Sequence, residues 1–177
     1  LTLAMPDVAN NATSIKVSRN TGLAEGTLLF RSSDPGAAST EIMSIDVGGI
    51  NTANNTLTVT RGVYGTTNSA IPAGEYVKSF IDSATTSTVN EGATYAAGDV
   101  TLTLTDATGF LEGSFIRIDN EIIQVETVAG NDLTVLRGRY GTSDVDHNDG
   151  SAVTQLTDAG DYFINFFTNS ITISLPA

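Results

Sequence analysis

Leu57-Thr-Val-Thr-Arg-Gly-Val-Tyr-Gly-Thr66 and Leu133-Thr-Val-Leu-Arg-Gly-Arg-Tyr-Gly-Thr142 are two occurrences of one phrase, L-T-V-x-R-G-x-Y-G-T, in a chain of 177 residues. A phrase that recurs with arginine, glycines and tyrosine in register marks an internal duplication, and fold, size and role follow from it. The match extends outward on both sides. Ile42-Met-Ser-Ile45 and Ile122-Ile-Gln-Val125 precede the two copies, introduced by Glu41 and Glu121. Further upstream, Ser14 to Gly26 aligns with Thr101 to Gly113, keeping the apolar alternation and the closing Glu-Gly. Downstream, Gly74-Glu-Tyr-Val77 matches Gly150-Ser-Ala-Val153. The offset falls from 87 (Gly22 to Gly109) to 80 (Glu41 to Glu121) and 76 (Gly74 to Gly150), so copy one carries two insertions, at Ser32 to Ser39 and Gly48 to Asn55. Both are rich in turn-forming residues, the place where a repeated β unit tolerates extra length.

The strand signal is period-two alternation. Val100-Thr-Leu-Thr-Leu-Thr105 alternates strictly, and Ile15-Lys-Val17, Leu57-Thr-Val59 and Leu133-Thr-Val135 repeat it. Turn residues separate these runs at Gly48-Gly49, Asn54-Asn55, Asp119-Asn120 and Gly130-Asn-Asp132. No stretch has helical periodicity. The expected fold is all-β, a tandem duplication of a small antiparallel barrel or sandwich, with strands near 13–18, 26–31, 41–47, 56–61 and 75–80, then 100–105, 114–118, 121–127, 132–137 and 151–156. The expected divisions are an N-terminal arm, 1–12; repeat one, 13–82; a linker, 83–98; repeat two, 99–157; and a C-terminal strand or arm, 158–177. Units near 70 residues hide little surface, so each copy is expected to lean on its twin or on a neighbouring chain.

Composition excludes several classes of function. There is no cysteine and no tryptophan, which removes disulfides, thiolate metal sites and a cysteine nucleophile. A net charge of −12 with only eight Lys and Arg argues against nucleic-acid binding, which rests on cations. No window approaches the roughly 18 apolar residues of a membrane span, so no membrane partner is expected. The first residue is Leu1; a cleaved leader, a maturation cut or renumbering would each account for it.

The motif residues read as architecture. Gly62, Gly65, Gly138 and Gly141 suit positive φ or close backbone approach after a strand, with Tyr64 and Tyr140 covering the turn and Thr66 and Thr142 ending it. Arg61 and Arg137 recur although cations are scarce, so each needs a partner, either Glu41 and Glu121 or Glu25 and Glu112. A phosphate-cradling loop would need a following helix, which the sequence lacks. In Asp144-Val-Asp-His-Asn-Asp-Gly150 the oxygen-bearing Asp144, Asp146, Asn148 and Asp149 resemble calcium ligands, but the glycine comes one residue late and Gln155 stands where a bidentate glutamate belongs. A solvated turn is the expectation, and no cofactor is implied. His147, the single histidine, is expected to be a surface turn residue; no serine motif accompanies it, and no enzymatic activity is expected. The tail is apolar: Phe163, Phe166, Phe167, Ile171, Ile173 and Leu175 could complete the chain's own core, or add a strand to a neighbouring subunit as an assembly arm.

The pattern E-I-I-x-V, a short Gly/Asn turn, then L-T-V-x-R-G-x-Y-G-T and a later glycine resembles a module of tailed-bacteriophage virion proteins, over roughly 41–77 and 121–153. Such modules occur in tail and baseplate components and in small head-associated proteins. Copy one departs from the pattern at Ile71-Pro72, where copy two keeps His147. The resemblance implies a non-enzymatic structural protein located in the virion, a capsid decoration or cement protein ahead of a tail part, whose partners are copies of itself and other virion subunits. A secreted, extracellular filament or surface-layer subunit assembled by strand donation is the alternative. A carbohydrate-binding module is third, disfavoured because exposed tryptophan is missing.

Overall fold

Among the described residues the chain forms ten strands, five in each half, built on apolar runs that in several cases alternate with threonine. They are β1 (Ser14–Lys16), β2 (Leu28–Phe30), β3 (Ile42–Asn51), β4 (Thr56–Thr60), β5 (Tyr76–Thr88), β6 (Thr101–Thr103), β7 (Phe115–Ile118), β8 (Glu121–Ala129), β9 (Asp132–Leu136) and β10 (Ala152–Phe163). The computed structural model describes residues 7–32, 34–37 and 40–164. Every strand pairing is antiparallel. The protein is all-β, as the alternation predicts.

The ten strands form one sheet in the order β1-β4-β3-β2-β5-β10-β7-β8-β9-β6. The order is palindromic about the central β5–β10 pair: β1 to β5 take the same neighbours in the first half as β6 to β10 take in the second. The central ribbon is long, running from Phe163 opposite Tyr76 to Ala152 opposite Thr88. Two register shifts, between Thr154 and Leu156 and between Asp158 and Gly160, bend it.

Each long strand begins in one half and ends in the other. β5 first pairs β2, with Leu28 opposite Phe80, and it ends where Val89 bridges Leu104 beside β6. β10 first pairs β7, with Val153 opposite Ile118, and it ends where Ile164 bridges Val17 beside β1. Val89 is accordingly buried in the second-half core with Leu102, Leu104, Ile116, Val125 and Val135. Tyr162 and Ile164 lie in the first-half core with Ile15, Val17, Leu57, Val59 and Val77. Each half is therefore closed by a strand from its twin.

Three of the expected boundaries are revised, two of them by this crossing. Residues 83–88, within the expected linker 83–98, are strand, and Val89 is core. Within the expected arm 158–177, residues up to Phe163 belong to β10 and Ile164 is fully buried. Within the expected arm 1–12, Val8 bridges Ile71 and packs into the first-half core. Alternation missed the overrun of β5 because Ser83-Ala-Thr-Thr-Ser-Thr88 carries no large apolar residue. Its threonines favour extended backbone, and its side chains are mostly half-exposed at the waist of the molecule.

A third core fills that waist. Leu28, Phe30, Ile42 and Phe80 of the first half meet Phe115, Ile122, Tyr140 and Leu156 of the second. The rings pack at angles, with centroids 4.5 Å apart for Phe30–Tyr140, 5.1 Å for Phe115–Tyr140 and 5.5 Å for Phe80–Phe115. Burial of side chains this size stabilises by roughly 1.5–3 kcal/mol each, so the halves are welded by packing as well as by the shared ribbon.

Candidate functional site

The two R-G-x-Y-G-T turns are built alike, starting from the backbone. Gly62 and Gly138 are left-handed, and so are Tyr64 (φ 58) and Tyr140 (φ 53). A left-handed tyrosine costs about 1–3 kcal/mol and persists only where its surroundings dictate it. Part of that dictation comes from threonine. Thr66 Oγ1 accepts the Ile42 N–H at 3.0 Å and donates to the Val63 carbonyl at 2.8 Å. Thr142 Oγ1 likewise accepts from Ile122 at 3.1 Å and donates to Arg139 at 2.8 Å. Gly141 is needed for close approach as well as for its φ of 76°, because a Cβ there would sit 2.6 Å from the Thr40 carbonyl oxygen.

Beneath each turn lies a buried arginine–glutamate pair. Arg61 donates from Nε and Nη2 to the two oxygens of Glu41, at 2.5 and 2.7 Å. Arg137 donates in the same fork to Glu121, at 2.8 Å twice. Both glutamate side chains are fully buried. The remaining guanidinium donors tie down neighbouring backbone: Arg61 bonds the Ala9, Ala12 and Ser69 carbonyls, and Arg137 those of Ala96, Asp99 and Val145. Such bidentate pairs are strong because planar donors meet planar acceptors. Of the two partner sets open to the arginines, the structure uses Glu41 and Glu121. Glu25 and Glu112 instead accept the backbone N–H groups of Gly48 and Val128.

The two halves differ in the second cation that each buried glutamate receives. Glu41 accepts a further bond from Arg31 Nη1 at 2.9 Å, and Arg31 also forks onto Glu75 at 2.5 and 2.8 Å. Glu121 accepts instead from His147 Nε2 at 2.9 Å, while His147 Nδ1 lies 2.9 Å from Asp119 Oδ2. Aligned by the shared Glu-Gly, Arg31 stands opposite buried Ile118; aligned by the late glycine, Ile71 stands opposite His147. Each half thus carries one buried isoleucine and one cation at these two positions, with the assignments exchanged.

His147 is therefore not a surface turn residue; it is about 1% exposed, with its ring stacked over that of Tyr95 at 6.4 Å. The signal in the sequence was its alignment with Ile71, an apolar residue. Burial alone would lower the imidazolium's affinity for its proton, but the bonds to Glu121 and Asp119 outweigh it and raise the pKa above the ordinary histidine value. Burial likewise opposes ionisation of Glu121, yet His147, Arg137 and the Gly138 N–H together hold its carboxyl down at about 2. Glu41 is lowered against the same opposition by Arg61 and Arg31.

The acidic loop that resembles a calcium site is employed otherwise. Asp144 Oδ2 accepts the Gly98 N–H at 3.0 Å, Asp146 Oδ1 that of Ala97 at 2.8 Å, and Asp149 Oδ1 that of Gly92 at 3.0 Å. Asp144 also pairs with Arg137 at 2.9 Å, and the Asn148 carbonyl accepts from Ser151. Among the described residues no three His, Cys, Asp or Glu groups converge on a metal position. These carboxylates fasten the 92–98 segment to the second half.

The tyrosines reach further than their own turns. Tyr140 is buried against Phe30 of the first half, and its N–H bonds the Pro35 carbonyl, so the first insertion caps the opposite turn. Tyr64 is half-buried beneath the guanidinium of Arg117 from the second half, 5.6 Å from its ring centre. Of the expected assembly arm, Phe163 is 43% exposed with its ring edge-on to Tyr76 at 6.1 Å. Phe166, Phe167, Ile171, Ile173 and Leu175 lie outside the described residues. Where β10 peels away from β7, an open groove of about 440 Å³ has Phe80, Phe115 and Leu156 on its floor and exposed Leu111 at its rim. A smaller groove of about 300 Å³ lies where β5 leaves β2, beside Ile81.

Comparison with protein-family models, with curated proteins and with solved structures finds no match.

Proposed function

We propose that this chain is a structural protein of a tailed-bacteriophage particle, a head decoration or cement subunit in first place. The sequence support is the resemblance of the repeated E-I-I-x-V and L-T-V-x-R-G-x-Y-G-T pattern to modules of such virion proteins. The observation that carries the reading is how the motif's polar groups are spent: both arginines, both glutamates and both threonines bond inside the fold. A motif used this way makes a rigid block, which is what a part that braces a shell requires. Its partners in this reading are copies of itself and other virion subunits, and residues beyond Ile164 act as the arm that contacts them.

A secreted filament subunit assembled by strand donation is the second reading. The bridge between Ile164 and Val17 bears on it, because β10 up to that point is already engaged in the first half. In this reading the donated strand lies beyond Ile164.

The test is electron cryomicroscopy of phage particles with and without the protein, together with a variant truncated after Ile164. Full-length protein is expected as ordered density on the head, and the truncated variant should fold with unchanged melting yet leave the particle undecorated. Absence of the full-length protein from every part of the particle would refute the virion assignment. Wild-type decoration by the truncated variant would refute the arm alone.

A further inference from the structure

Both ring nitrogens of His147 face carboxylate oxygens, Nδ1 toward Asp119 and Nε2 toward Glu121, each at 2.9 Å. A carboxylate oxygen only accepts, and a neutral imidazole has a single N–H to donate. The arrangement is satisfied in full only by the doubly protonated ring. In the first half the equivalent role falls to Arg31, whose charge is permanent.

We infer that His147 is a pH-sensitive clamp on one end of the second half, matched in the first half by a clamp that does not titrate. His147 exchanges two backbone hydrogen bonds with Tyr95, both 2.9 Å, and so holds the 92–98 segment onto the 144–150 loop. The groups facing the imidazole come from four elements. Asp119 is on the β7–β8 turn, Glu121 on β8, Arg137 at the end of β9 with its guanidinium 4.3 Å from the Tyr95 ring centre, and Tyr95 on the segment itself. Ser151 also approaches Asp119, at 3.5 Å. Of these, Asp119 is 60% exposed, so the proton leaves from Nδ1 to water on that side. The neutral ring then presents a lone pair to one carboxylate, and the clamp is lost while Arg137 still neutralises Glu121. The equivalent contact in the first half, Val8 with Ile71 at 2.9 and 2.8 Å, contains no titrating group and serves as an internal reference.

The sign of the effect is fixed. With a folded pKa raised above 6.5, the clamp contributes fully below pH 6.5 and its contribution is lost as pH rises through the folded value.

Because His147 is the only histidine, its ring ¹⁵N signals in the full-length protein report the clamp without assignment ambiguity. Both nitrogens should be protonated at pH 6.5, and titration should occur above that value. Native-state hydrogen exchange, corrected for base catalysis, should show protection at Tyr95 and His147 falling relative to Val8 and Ile71 between pH 6 and 9. The fall should be about tenfold for each unit by which the pKa is raised. The double variant Ile118→Arg/His147→Ile transplants the first-half arrangement and should make the ratio independent of pH. If that variant fails to fold, His147→Gln should give a flat ratio near the wild-type value at pH 9. Titration of His147 at or below 6.5, a wild-type ratio that stays constant, or a His147→Gln variant that keeps the wild-type pH dependence would each overturn the inference.

Discussion

Val89 and Ile164 close opposite halves of the molecule with the same pair of hydrogen bonds. Val89 donates to the Ser151 carbonyl and accepts from Gly150, at 3.0 and 2.8 Å; Ile164 donates to Glu75 and accepts from Gly74, at 2.9 and 2.8 Å. Gly74 and Gly150 are the late glycines of the two sequence copies, so each closing residue docks onto the other half's copy of one feature. The exchange makes each half dependent on a residue encoded outside its own repeat.

Ile164→Ala should therefore damage the first half, although the residue follows the second in sequence. Truncating a fully buried isoleucine costs about 2–5 kcal/mol. Urea unfolding should show a loss of that size, and hydrogen exchange should place the earliest opening at Val17 and Gly74. Earliest opening among β6 to β9 would count against the crossing.

Arg137→Met leaves Glu121 buried with the imidazolium of His147 and the Gly138 and Val145 N–H groups beside it, but without its guanidinium. Breaking a buried pair from one side costs about 3–5 kcal/mol, whereas replacing both partners by apolar groups is often close to neutral. Denaturant midpoints should fall sharply for Arg137→Met and recover in part for Arg137→Met/Glu121→Leu. Equal loss in both variants would mean that the carboxylate is needed for more than its arginine.

At low pH the second half should weaken through Glu121. Its carboxyl is lowered from 4.5 to about 2, so its contribution is present above pH 4.5 and is lost as pH falls through about 2. Glu121→Gln should start less stable at pH 5 and show a shallower decline between pH 4.5 and 2 in the urea midpoint. A decline identical to wild type would assign acid sensitivity to other carboxylates.

The turn tyrosines should prove unequal although both stand in an R-G-x-Y-G-T turn. Tyr140 is buried among Phe30, Phe80 and Phe115, and its truncation to alanine should cost about 3–5 kcal/mol, as for other large aromatic residues. Tyr64 is half-exposed under Arg117, and Tyr64→Ala should cost roughly half as much. Thermal unfolding of the two variants under one condition checks the order.

The sequence made β1, β4, β6 and β9 legible because each alternates a buried apolar residue with exposed or half-exposed polar ones, and β2, β3, β7 and β8 legible as apolar runs between turn residues. It also made the pairing of Arg61 and Arg137 with glutamate legible, because two of very few cations recur at equal positions. The overrun of β5 was hidden by Ser and Thr at the waist, where neither face is fully dry. The overrun of β10 was visible as an apolar strand, but its destination was not, since alternation says nothing of which partner a strand finds. His147 was misplaced because its neighbours Asp146, Asn148 and Asp149 spell a surface turn. The partners that bury it, Asp119 and Glu121, come from a different hairpin.

Differential scanning calorimetry of the full-length chain near pH 6 addresses the reciprocal closure of the halves most directly. A shared ribbon, a common waist core and two exchanged closing residues predict a single endotherm whose calorimetric and van't Hoff enthalpies agree. Two resolved endotherms, one for each half, would contradict it.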